Sequence, residues 1–357
     1  MAHKIRIQSS GHEFTAIEKE TVLAAALRQG MTLAYSCRNG DCGTCKGKLI
    51  SGKIDYGKYE AKAMSDEERE AGAALFCQAV PLSDLVIDAR EISAAEGIPI
   101  RIMPCRVMKL DRLAHDVMQL SLKLAEGQRL QFLAGQYIDI LLSGNQRRSF
   151  SLATAPHADE LLQLHIRHVP GGLFSGQAFT TMKERDLLRF QGPLGTFFLR
   201  EDSDAQGSTN ATGDRKSGAA DRPVILVAGG TGFAPIKSIL EHAFATGIKR
   251  TMHLYWGVRA QRDLYLHVLP QAWAREHAHF HYTPVLSEPL SEDDWSGRRG
   301  WVHAAVIADY PDLSRHEVYA SGPPPMIEAL KKAVIAHGLP NDRLYYDSFE
   351  HAHASAS

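Results

Sequence analysis

Hydrophobic residues in the first quarter of the chain form short alternating stretches separated by turn residues. Residues 5–7 and 85–88 alternate as half-buried strands do, and residues 48–54 predict a hairpin around a Ser-Gly turn. Thr21 is placed to cap a helix over residues 22–27. These elements predict a small α+β unit with one main helix.

The second part of the chain shows strand patterns almost throughout. Apolar and β-branched residues recur at 117–122, 137–140 and 162–166, with Gly, Pro and Asn between them. Strands at this spacing, with one helical stretch among them, are typical of an antiparallel β-barrel. We therefore predict an all-β domain with a single helix here.

From Pro223 onwards the pattern changes to short, continuously apolar strands that alternate with helices. Residues 224–228, 253–257 and 317–320 have the composition of strands buried on both faces. Alternation of such strands with helices is typical of a doubly wound parallel sheet.

The chain is thus predicted to be a multidomain α+β and α/β protein. Residues 201–221 hold no large apolar residue and are expected to be a flexible insertion, and the tail is expected to be disordered. The predicted domains are residues 1–92, 100–200 and 222–350, with the insertion at 201–221 and the tail at 351–357.

Composition and charge restrict the function. A formal net charge of −1 over 357 residues gives no global field that would attract nucleic acid or an anionic membrane. No apolar run approaches the roughly 18–20 residues that span a bilayer, and the first residues lead into no signal core. We therefore expect a cytoplasmic protein with reduced thiols and with neither nucleic-acid nor membrane partners.

Four cysteines share a spacing that serves iron–sulfur chemistry. Cys37, Cys42 and Cys45 form a C-x4-C-x2-C run, and Cys77 follows further along the chain. Two irons that share two sulfides require four thiolates, and plant-type ferredoxins use this spacing. Structural zinc usually shows two C-x2-C pairs, and disulfides conflict with the odd count of five cysteines. A 2Fe–2S cluster is favoured over zinc, and Cys105 is left as an ordinary buried thiol.

A glycine-rich turn follows the buried strand at 224–228. In Gly229-Gly230-Thr231-Gly232, the glycines would let the backbone approach a pyrophosphate, and the following helix would offer free N–H groups. Pro235 suits the first turn of that helix. A tight turn without a ligand is the alternative, although three glycines in four positions favour a dinucleotide site.

Three further motifs are weak alone and gain weight from their order along the chain. They are Arg148-Ser149-Phe150-Ser151, Gly171-Gly172-Leu173-Phe174-Ser175 and Gly192-Pro193-Leu194-Gly195-Thr196-Phe197. With the cysteines and the glycine turn, they make the chain resemble the ferredoxin-NADP+ reductase superfamily with an N-terminal plant-type ferredoxin domain. The resemblance implies a β-grasp ferredoxin domain, an antiparallel FAD-binding barrel and a parallel-sheet NAD(P) domain.

The same resemblance implies roles for the residues of the flavin motifs. Arg148 would bind the FAD phosphates, Phe150 would stack on the flavin where the family has tyrosine, and Ser151 would lie near flavin N5. Gly172 and Ser175 would hold the FAD pyrophosphate at a helix start.

The nicotinamide dinucleotide would bind at Gly230, Thr231, Gly232 and Pro235. Ser321-Gly322-Pro323-Pro324 replaces the family's Cys-Gly-Pro-Pro, so a serine would lie beside the nicotinamide. Phe349 is the candidate aromatic shield of the flavin, with a core phenylalanine as the alternative. The resemblance thus makes Ser151, Thr231, Ser321 and Phe349 the candidate catalytic residues, and Gly322 and Pro323 further cofactor contacts.

The implied activity is electron transfer. Hydride from NADH or NADPH would reach FAD, and single electrons would leave through the cluster to a partner enzyme. Residues 133–139, 192–198 and 253–257 look most like the CDP-6-deoxy-3,4-glucoseen reductase group, which supplies a sugar dehydratase. A reductase component of a Rieske-type or diiron oxygenase is the alternative, and an iron–sulfur redox sensor is a further one. Arg38 and Asp41 in the cysteine loop are expected to be exposed and to contact the partner.

Two further features bear on ligands. Arg259 and Arg262 follow the second strand of the parallel sheet, where a 2′-phosphate would need a cation, but Asp263 would oppose it, which favours NADH. The histidines at 277, 279 and 281 lack accompanying carboxylates, and we expect ordinary histidines rather than a second metal site.

Overall fold

A computed structural model describes residues 2–95, 97–201 and 222–349. The chain divides into two compact units, residues 1–99 and residues 100–357. Most of the predicted insertion at 201–221 and the predicted tail at 351–357 lie outside the described residues. Among the helices of the described part, none is long and apolar enough to cross a membrane.

The first unit is a five-stranded mixed sheet covered by one helix. Its elements are β1 (His3–Ile7), β2 (Glu13–Ala16), α1 (Val22–Arg28), β3 (Lys46–Ser51), β4 (Ile54–Asp55), α2 (Asp66–Glu70), β5 (Ala73–Leu75), β6 (Val80–Pro81) and β7 (Leu85–Asp88). The sheet order is β2-β1-β7-β3-β5, with β1 and β7 parallel. Thr21 caps α1 as predicted, because its hydroxyl accepts from the Ala24 amide at 3.3 Å.

The predicted hairpin over residues 48–54 is wrong. β3 pairs with β5 and β7, whereas β4 pairs with β6 in a separate two-stranded ribbon. The chain does turn at Gly52, where φ is +104° and a side chain would meet the Asp84 carbonyl oxygen. The backbone of β3 is hydrogen-bonded to β7 rather than to β4. The turn therefore leads β4 away from the main sheet.

The second unit begins with an antiparallel barrel. Its elements are β8 (Arg101–Arg112), β9 (Val117–Leu124), β10 (Tyr137–Leu141), β11 (Arg147–Ser151), β12 (Leu162–Arg167), α3 (Leu173–Thr180) and β13 (Leu187–Leu194). The order is β11-β10-β13-β8-β9-β12. An isolated bridge from Leu152, just after β11, to Leu164 within β12 links the two edge strands and closes the sheet. Leu162, Leu164 and Ile166 point into the barrel core.

The remainder of the unit is a doubly wound parallel sheet, as predicted. Its elements are β14 (Val224–Gly229), α4 (Phe233–Ala245), β15 (Met252–Val258), α5 (Val268–Glu276), β16 (Phe280–Leu286), β17 (Arg298–Arg299), α6 (Val302–Asp309), β18 (Glu317–Gly322), α7 (Pro324–Ala336) and β19 (Leu344–Ser348). The order is β17-β16-β15-β14-β18-β19. One apolar cluster packs α4 and α5 on one face, and another packs α6 and α7 on the other. The strand order reverses between β14 and β18, where such sheets bind ligands.

Candidate functional site: a thiol loop and a barrel–sheet seam

The four predicted cluster cysteines come together in the first unit. Three of them lie in the loop between α1 and β3, and Cys77 lies between β5 and β6. We call this loop, together with Cys77, the thiol loop. All four are free thiols; Cys37 is half-buried and the other three are about 5% exposed. Cys105 lies apart on β8 of the barrel, where burial raises the pKa of its thiol to about 12.

The thiols form two hydrogen-bonded pairs, Cys37 with Cys42 and Cys45 with Cys77. The bond from Cys42, helped by the main-chain amides of Asn39, Asp41 and Cys42, lowers the pKa of Cys37 to about 6 against the opposing effect of burial. The Gly40 amide is directed at Cys77. Two thiol pairs surrounded by amide donors match the needs of two irons and their sulfides. The donor set therefore fits a 2Fe–2S cluster.

Two glycines help to set the shape of this loop, because each has a positive φ and little room for a side chain. Gly40 has φ of +89°, and a Cβ there would lie 2.7 Å from the Lys58 carbonyl oxygen. Gly43 has φ of +77° and is similarly close to Ala63. One expectation about this loop is wrong: Asp41 is only 4% exposed, whereas Arg38 is half-buried. The carboxylate turns inward because the loop wraps around the thiols.

The predicted flavin residues lie on β11 and at the start of α3. The Phe150 ring packs against Phe174, with ring centres 5.1 Å apart. The Arg148 side chain is half-buried, and its Nη1 donates to the Arg147 carbonyl oxygen at 2.7 Å. Gly172 precedes α3, where a Cβ would lie 2.5 Å from the hydroxyl of Ser175. That hydroxyl accepts from the Val169 amide at 3.2 Å, so it holds the turn at the helix start.

The glycine turn is packed against β18. A Cβ on Gly232 would overlap the Ser321 carbonyl oxygen, and one on Gly229 would overlap the Met326 side chain. Trp256 on β15 donates its indole N–H to the Gly230 carbonyl oxygen at 3.0 Å. Thr231 is half-buried in a short 3-10 turn before α4. Gly232 is therefore required by the close approach of the β18 backbone, and the N-terminus of α4 lies at the carboxyl edge of the sheet.

Strands β18 and β19 bring the remaining predicted residues to the same edge. Ser321 is fully buried, and its hydroxyl has no hydrogen-bond partner among the described residues. It stands opposite Ala228 on β14 and Asp347 on β19. The amide of Phe349 donates to the Gly322 carbonyl oxygen at 3.0 Å, and Phe349 is half-buried. A buried polar atom without a partner, beside the glycine turn, fits a site built for a polar ligand.

Sequence reasoning missed the residue that connects the flavin strand to this edge. The Ser151 hydroxyl donates to Asp347 Oδ2 at 3.1 Å, and both residues are buried. The two lie 196 positions apart in sequence. No local pattern marks Asp347, which stands in an otherwise ordinary strand.

The outward face of β12 carries three polar side chains that no sequence motif marks. Gln163 Oε1 accepts from Lys237 of α4 at 3.4 Å, and His165 Nδ1 lies 2.9 Å from the hydroxyl of Tyr265. Arg167 Nη1 lies 2.8 Å from the position of a Gly230 Cβ. The signal was present, because every second residue of this strand is polar.

Two further contacts support the junction between the barrel and the parallel sheet. Together with the Ser151–Asp347 bond and the contacts of β12, they form what we call the barrel–sheet seam. Asp116 holds Arg167 by accepting from its Nε at 2.8 Å. Ser238 of α4 donates to the Thr154 carbonyl oxygen at 2.6 Å, just beyond the flavin strand. The seam therefore places a guanidinium from the barrel beside the glycine turn of the sheet. A cation in this position can bind a pyrophosphate.

The histidines at 277, 279 and 281 do not share one face. His277 ends α5 and stacks on Phe244 with ring centres 3.9 Å apart, and His279 meets the same ring edge-on. His281 instead faces His253.

Three family models match successive parts of the chain. A 2Fe-2S iron-sulfur cluster binding domain matches residues 5–82, an oxidoreductase FAD-binding domain matches 104–199, and an oxidoreductase NAD-binding domain matches 226–332. The predicted cofactors, a 2Fe–2S cluster, FAD and a nicotinamide dinucleotide, are thereby confirmed.

Relatives match nearly the whole chain. A CDP-6-deoxy-L-threo-D-glycero-4-hexulose-3-dehydrase reductase from Yersinia pestis is 37% identical, covering 98% of this chain and 99% of its own length. The xylene/toluene monooxygenase electron transfer component XylA from Pseudomonas putida is 33% identical, over 97% and 93% of the two chains.

Solved structures agree with the fold. The cytochrome P450 reductase GcoB from Amycolatopsis has a TM-score of 0.78 at 32% identity, covering 97% of this chain and 98% of its own. A ferredoxin reductase in carbazole 1,9a-dioxygenase has a TM-score of 0.68 at 25% identity, over 98% and 99%. The chain therefore belongs to the ferredoxin-NADP+ reductase superfamily, as an NAD(P)H-dependent reductase in which an N-terminal 2Fe–2S domain accompanies the FAD and NAD(P) domains.

Proposed function

We propose that this reductase passes electrons from NADH to a sugar dehydratase of the CDP-6-deoxyhexulose type. The observation that carries the proposal is the Yersinia pestis relative, whose identity of 37% exceeds the 33% of the xylene monooxygenase component at similar coverage. An oxygenase partner is the second candidate, because the GcoB structure superposes over nearly the whole chain.

The proposed metal ligands are Cys37, Cys42, Cys45 and Cys77, one hydrogen-bonded pair for each iron. The amides of residues 39–42 would stabilise the negative charge on the thiolates. Cys37 and Arg38 are among the half-buried residues of this loop, and we assign electron exit and partner contact to their side. Asp41 is assigned to the loop interior instead.

FAD is proposed to bind along β11 and at the start of α3. Arg148 would neutralise its phosphates, Gly172 and Ser175 would shape the turn beneath its pyrophosphate, and Phe150 would pack on its ring system without a hydroxyl to donate. When bound, the flavin accepts a hydride and releases electrons one at a time. Ser151 would hold its hydroxyl at the flavin edge, with the direction of that hydroxyl set by Asp347.

The nicotinamide dinucleotide is proposed to bind across the glycine turn. Gly230, Gly232 and Pro235 would bring backbone amides to the pyrophosphate, and Arg167 would add its charge from the barrel. Thr231 and Ser321 would contact the nicotinamide, and Gly322 and Pro323 would carry the chain past it. Phe349 would cover the flavin, and the buried surroundings would keep water out.

NADH is the proposed donor. Asp263 follows β15 and is 9% exposed, and its Oδ2 accepts from the Ala260 amide at 3.1 Å. A fixed carboxylate in this loop would bind ribose hydroxyls and repel a 2′-phosphate. Arg259 and Arg262 are exposed beside it.

The partner proposal is tested by turnover with purified partners. NADH-driven turnover is measured with a CDP-6-deoxyhexulose dehydratase and with an oxygenase component, each at matched concentration. We expect efficient coupling only to the dehydratase. Preferential coupling to the oxygenase component would move the chain to the second candidate.

Limited proteolysis tests the proposed division into domains at 1–92, 100–200 and 222–350. Cleavage is expected between residues 92 and 100 and within residues 201–221. Early cleavage inside one of the three domains would contradict the division.

A further inference from the structure

A buried guanidinium joins the barrel to the parallel sheet at the end of the seam remote from the glycine turn. Arg250 precedes β15 and is 6% exposed. Its Nη1 donates to the Arg200 carbonyl oxygen at 3.0 Å, and its Nε donates to the Arg222 carbonyl oxygen at 2.9 Å. Arg200 ends the barrel segment and Arg222 begins the sheet segment. One side chain therefore fixes the point where the chain leaves one domain and enters the other.

The charge of Arg250 is balanced by a carboxylate that is itself fully bonded. Glu317, at the start of β18, is 1% exposed and accepts from Arg250 Nη2 at 2.8 Å and from Arg222 Nη1 at 3.2 Å. The Tyr319 hydroxyl also donates to it, at 3.0 Å, and accepts from the Arg200 amide at 3.0 Å. We call these five residues, Arg200, Arg222, Arg250, Glu317 and Tyr319, the Arg250 clamp.

Aromatic stacking extends the clamp to the neighbouring strand. The Arg200 guanidinium lies 3.7 Å from the ring centre of Phe198 and 5.0 Å from that of Tyr345 on β19. Tyr345 in turn stacks on Tyr319, with ring centres 4.7 Å apart. The end of the barrel segment is thus attached to both β18 and β19 at their amino-terminal halves.

The same two strands carry the nicotinamide-side residues at their other ends. β18 leads to Ser321 and Gly322, and β19 leads to Asp347 and Phe349. Asp347 returns to the barrel through its hydrogen bond with Ser151. The paired strands are therefore attached to the barrel at two places, by the clamp at their amino-terminal ends and by Asp347 at the carboxyl end of β19.

A buried ion pair of this kind is costly to desolvate and is weak evidence for stability alone. A guanidinium whose donors meet two carbonyl oxygens and a carboxylate does, however, fix one geometry. Hydride transfer is sensitive to the placement of its donor and acceptor, because a displacement of about 1 Å can cost about a hundredfold in rate.

We propose that Arg250 and Glu317 are positioning residues for hydride transfer, which hold the nicotinamide-side strands in register with the flavin-side barrel. Because Arg250 holds the flanks at residues 200 and 222 together, the geometry of the junction does not depend on the stretch between them.

Substitution within the clamp tests the proposal in the full-length holoenzyme. Arg250→Lys keeps the charge and loses the paired carbonyl contacts, and Tyr319→Phe removes one hydroxyl while it keeps the ring. Arg343→Gln is the matched control, since Arg343 donates to the Ser314 carbonyl oxygen at 2.8 Å within the sheet domain alone. The readouts are the rate of flavin bleaching per bound flavin, the NADH concentration dependence and the deuterium isotope effect with deuterated NADH.

For Arg250→Lys we expect flavin bleaching to slow by about tenfold or more with NADH affinity almost unchanged, and the isotope effect to increase. Tyr319→Phe should slow flavin bleaching and increase the isotope effect by a smaller amount. This variant still tests the proposal if Arg250→Lys does not fold. A bleaching rate and isotope effect per bound flavin that stay normal in Tyr319→Phe and in any folded Arg250→Lys would overturn the proposal. Such a result would leave the clamp a purely structural element.

A linker replacement tests whether the geometry of the junction depends on the residues between positions 200 and 222. Residues 204–219 are exchanged for a flexible Gly/Ser linker of about ten residues, which easily joins nearby ends. We expect unchanged bleaching rate and isotope effect, because Arg250 still joins the flanks. A loss comparable to that of Arg250→Lys would contradict the role of the clamp in setting the junction.

Discussion

The thiol loop and the barrel–sheet seam are the two proposed electron-transfer sites, and they are built by opposite means. The thiol loop takes three of its four sulfurs from nine consecutive residues, Cys37–Cys45, and its contacts to sulfur come largely from its own main chain. The seam is assembled from β11, β12, β14, β18 and β19, and its Ser151–Asp347 contact joins residues 196 positions apart. A site made by one loop is visible in sequence, whereas a site made by packing is not.

The largest expected effect comes from a variant that removes the cluster and leaves the seam unchanged. Cys77→Ser should abolish cluster absorbance and delivery to the partner, because the fourth thiolate is lost. NADH-to-ferricyanide activity should remain, since the seam is untouched. Cys105→Ser serves as the control and should retain both activities. Loss of flavin bleaching in Cys77→Ser would mean that the two sites are not separable.

The next effect tests whether close packing defines the nucleotide site. In Gly232→Ala the new Cβ meets the Ser321 carbonyl oxygen, so the turn must move away from β18. We expect flavin bleaching by NADH to slow by about a hundredfold, with FAD still bound. Gly176→Ala is the control, because a Cβ there meets nothing within 4 Å. Equal bleaching rates in the two variants would show that the turn tolerates a side chain.

A third variant measures what the barrel contributes to nucleotide binding. Arg167→Gln removes the charge beside Gly230 and leaves a shorter, neutral polar side chain. The apparent KM for NADH should rise about tenfold to a hundredfold with kcat little changed, as expected for a charge-assisted contact of about 1.5–3 kcal/mol. Arg129→Gln removes an exposed barrel arginine instead. A KM that changes no more in Arg167→Gln than in Arg129→Gln would remove Arg167 from the site.

These differences explain how much of the molecule its sequence predicts. The cysteine spacing and the glycine turn are local, because thiolates and close backbone approach require particular residues at particular positions. Asp347 and the Arg250 clamp escaped prediction because their partners are distant and their residue types are ordinary. The burial of Asp41 also depends on tertiary packing, so the sequence alone predicted an exposed side chain. The same holds for β3, whose pairing with β7 replaced the hairpin predicted over residues 48–54.

The smallest expected effect is on the pH dependence of folding stability, to which His165 of the seam contributes. Burial, followed by the charge of Lys237, lowers the pKa of His165 to about 3. In the unfolded chain the imidazole of His165 takes up a proton near pH 6.5, whereas in the folded chain it stays neutral at that pH. The stability that this residue contributes is therefore fully present above about pH 6.5. It is lost as the pH falls below that value, by about 1.4 kcal/mol per pH unit.

His165→Asn should flatten this dependence without removing it, because the pKa of His253 is also lowered, to about 4. Thermal melts followed by flavin fluorescence between pH 7 and pH 5 check the slope. His3→Asn, at the half-buried first strand, is the control. An unchanged slope in His165→Asn would mean that His165 is not held neutral by the seam.

Anaerobic rapid mixing of the holoenzyme with NADH measures the order of electron flow through the protein. Flavin absorbance and cluster absorbance are followed together in the same reaction. We expect the flavin to bleach first, with a deuterium isotope effect, and the cluster to follow without an isotope effect of its own. Cluster reduction that precedes flavin bleaching, or that proceeds without it, would show that electrons do not enter through the flavin.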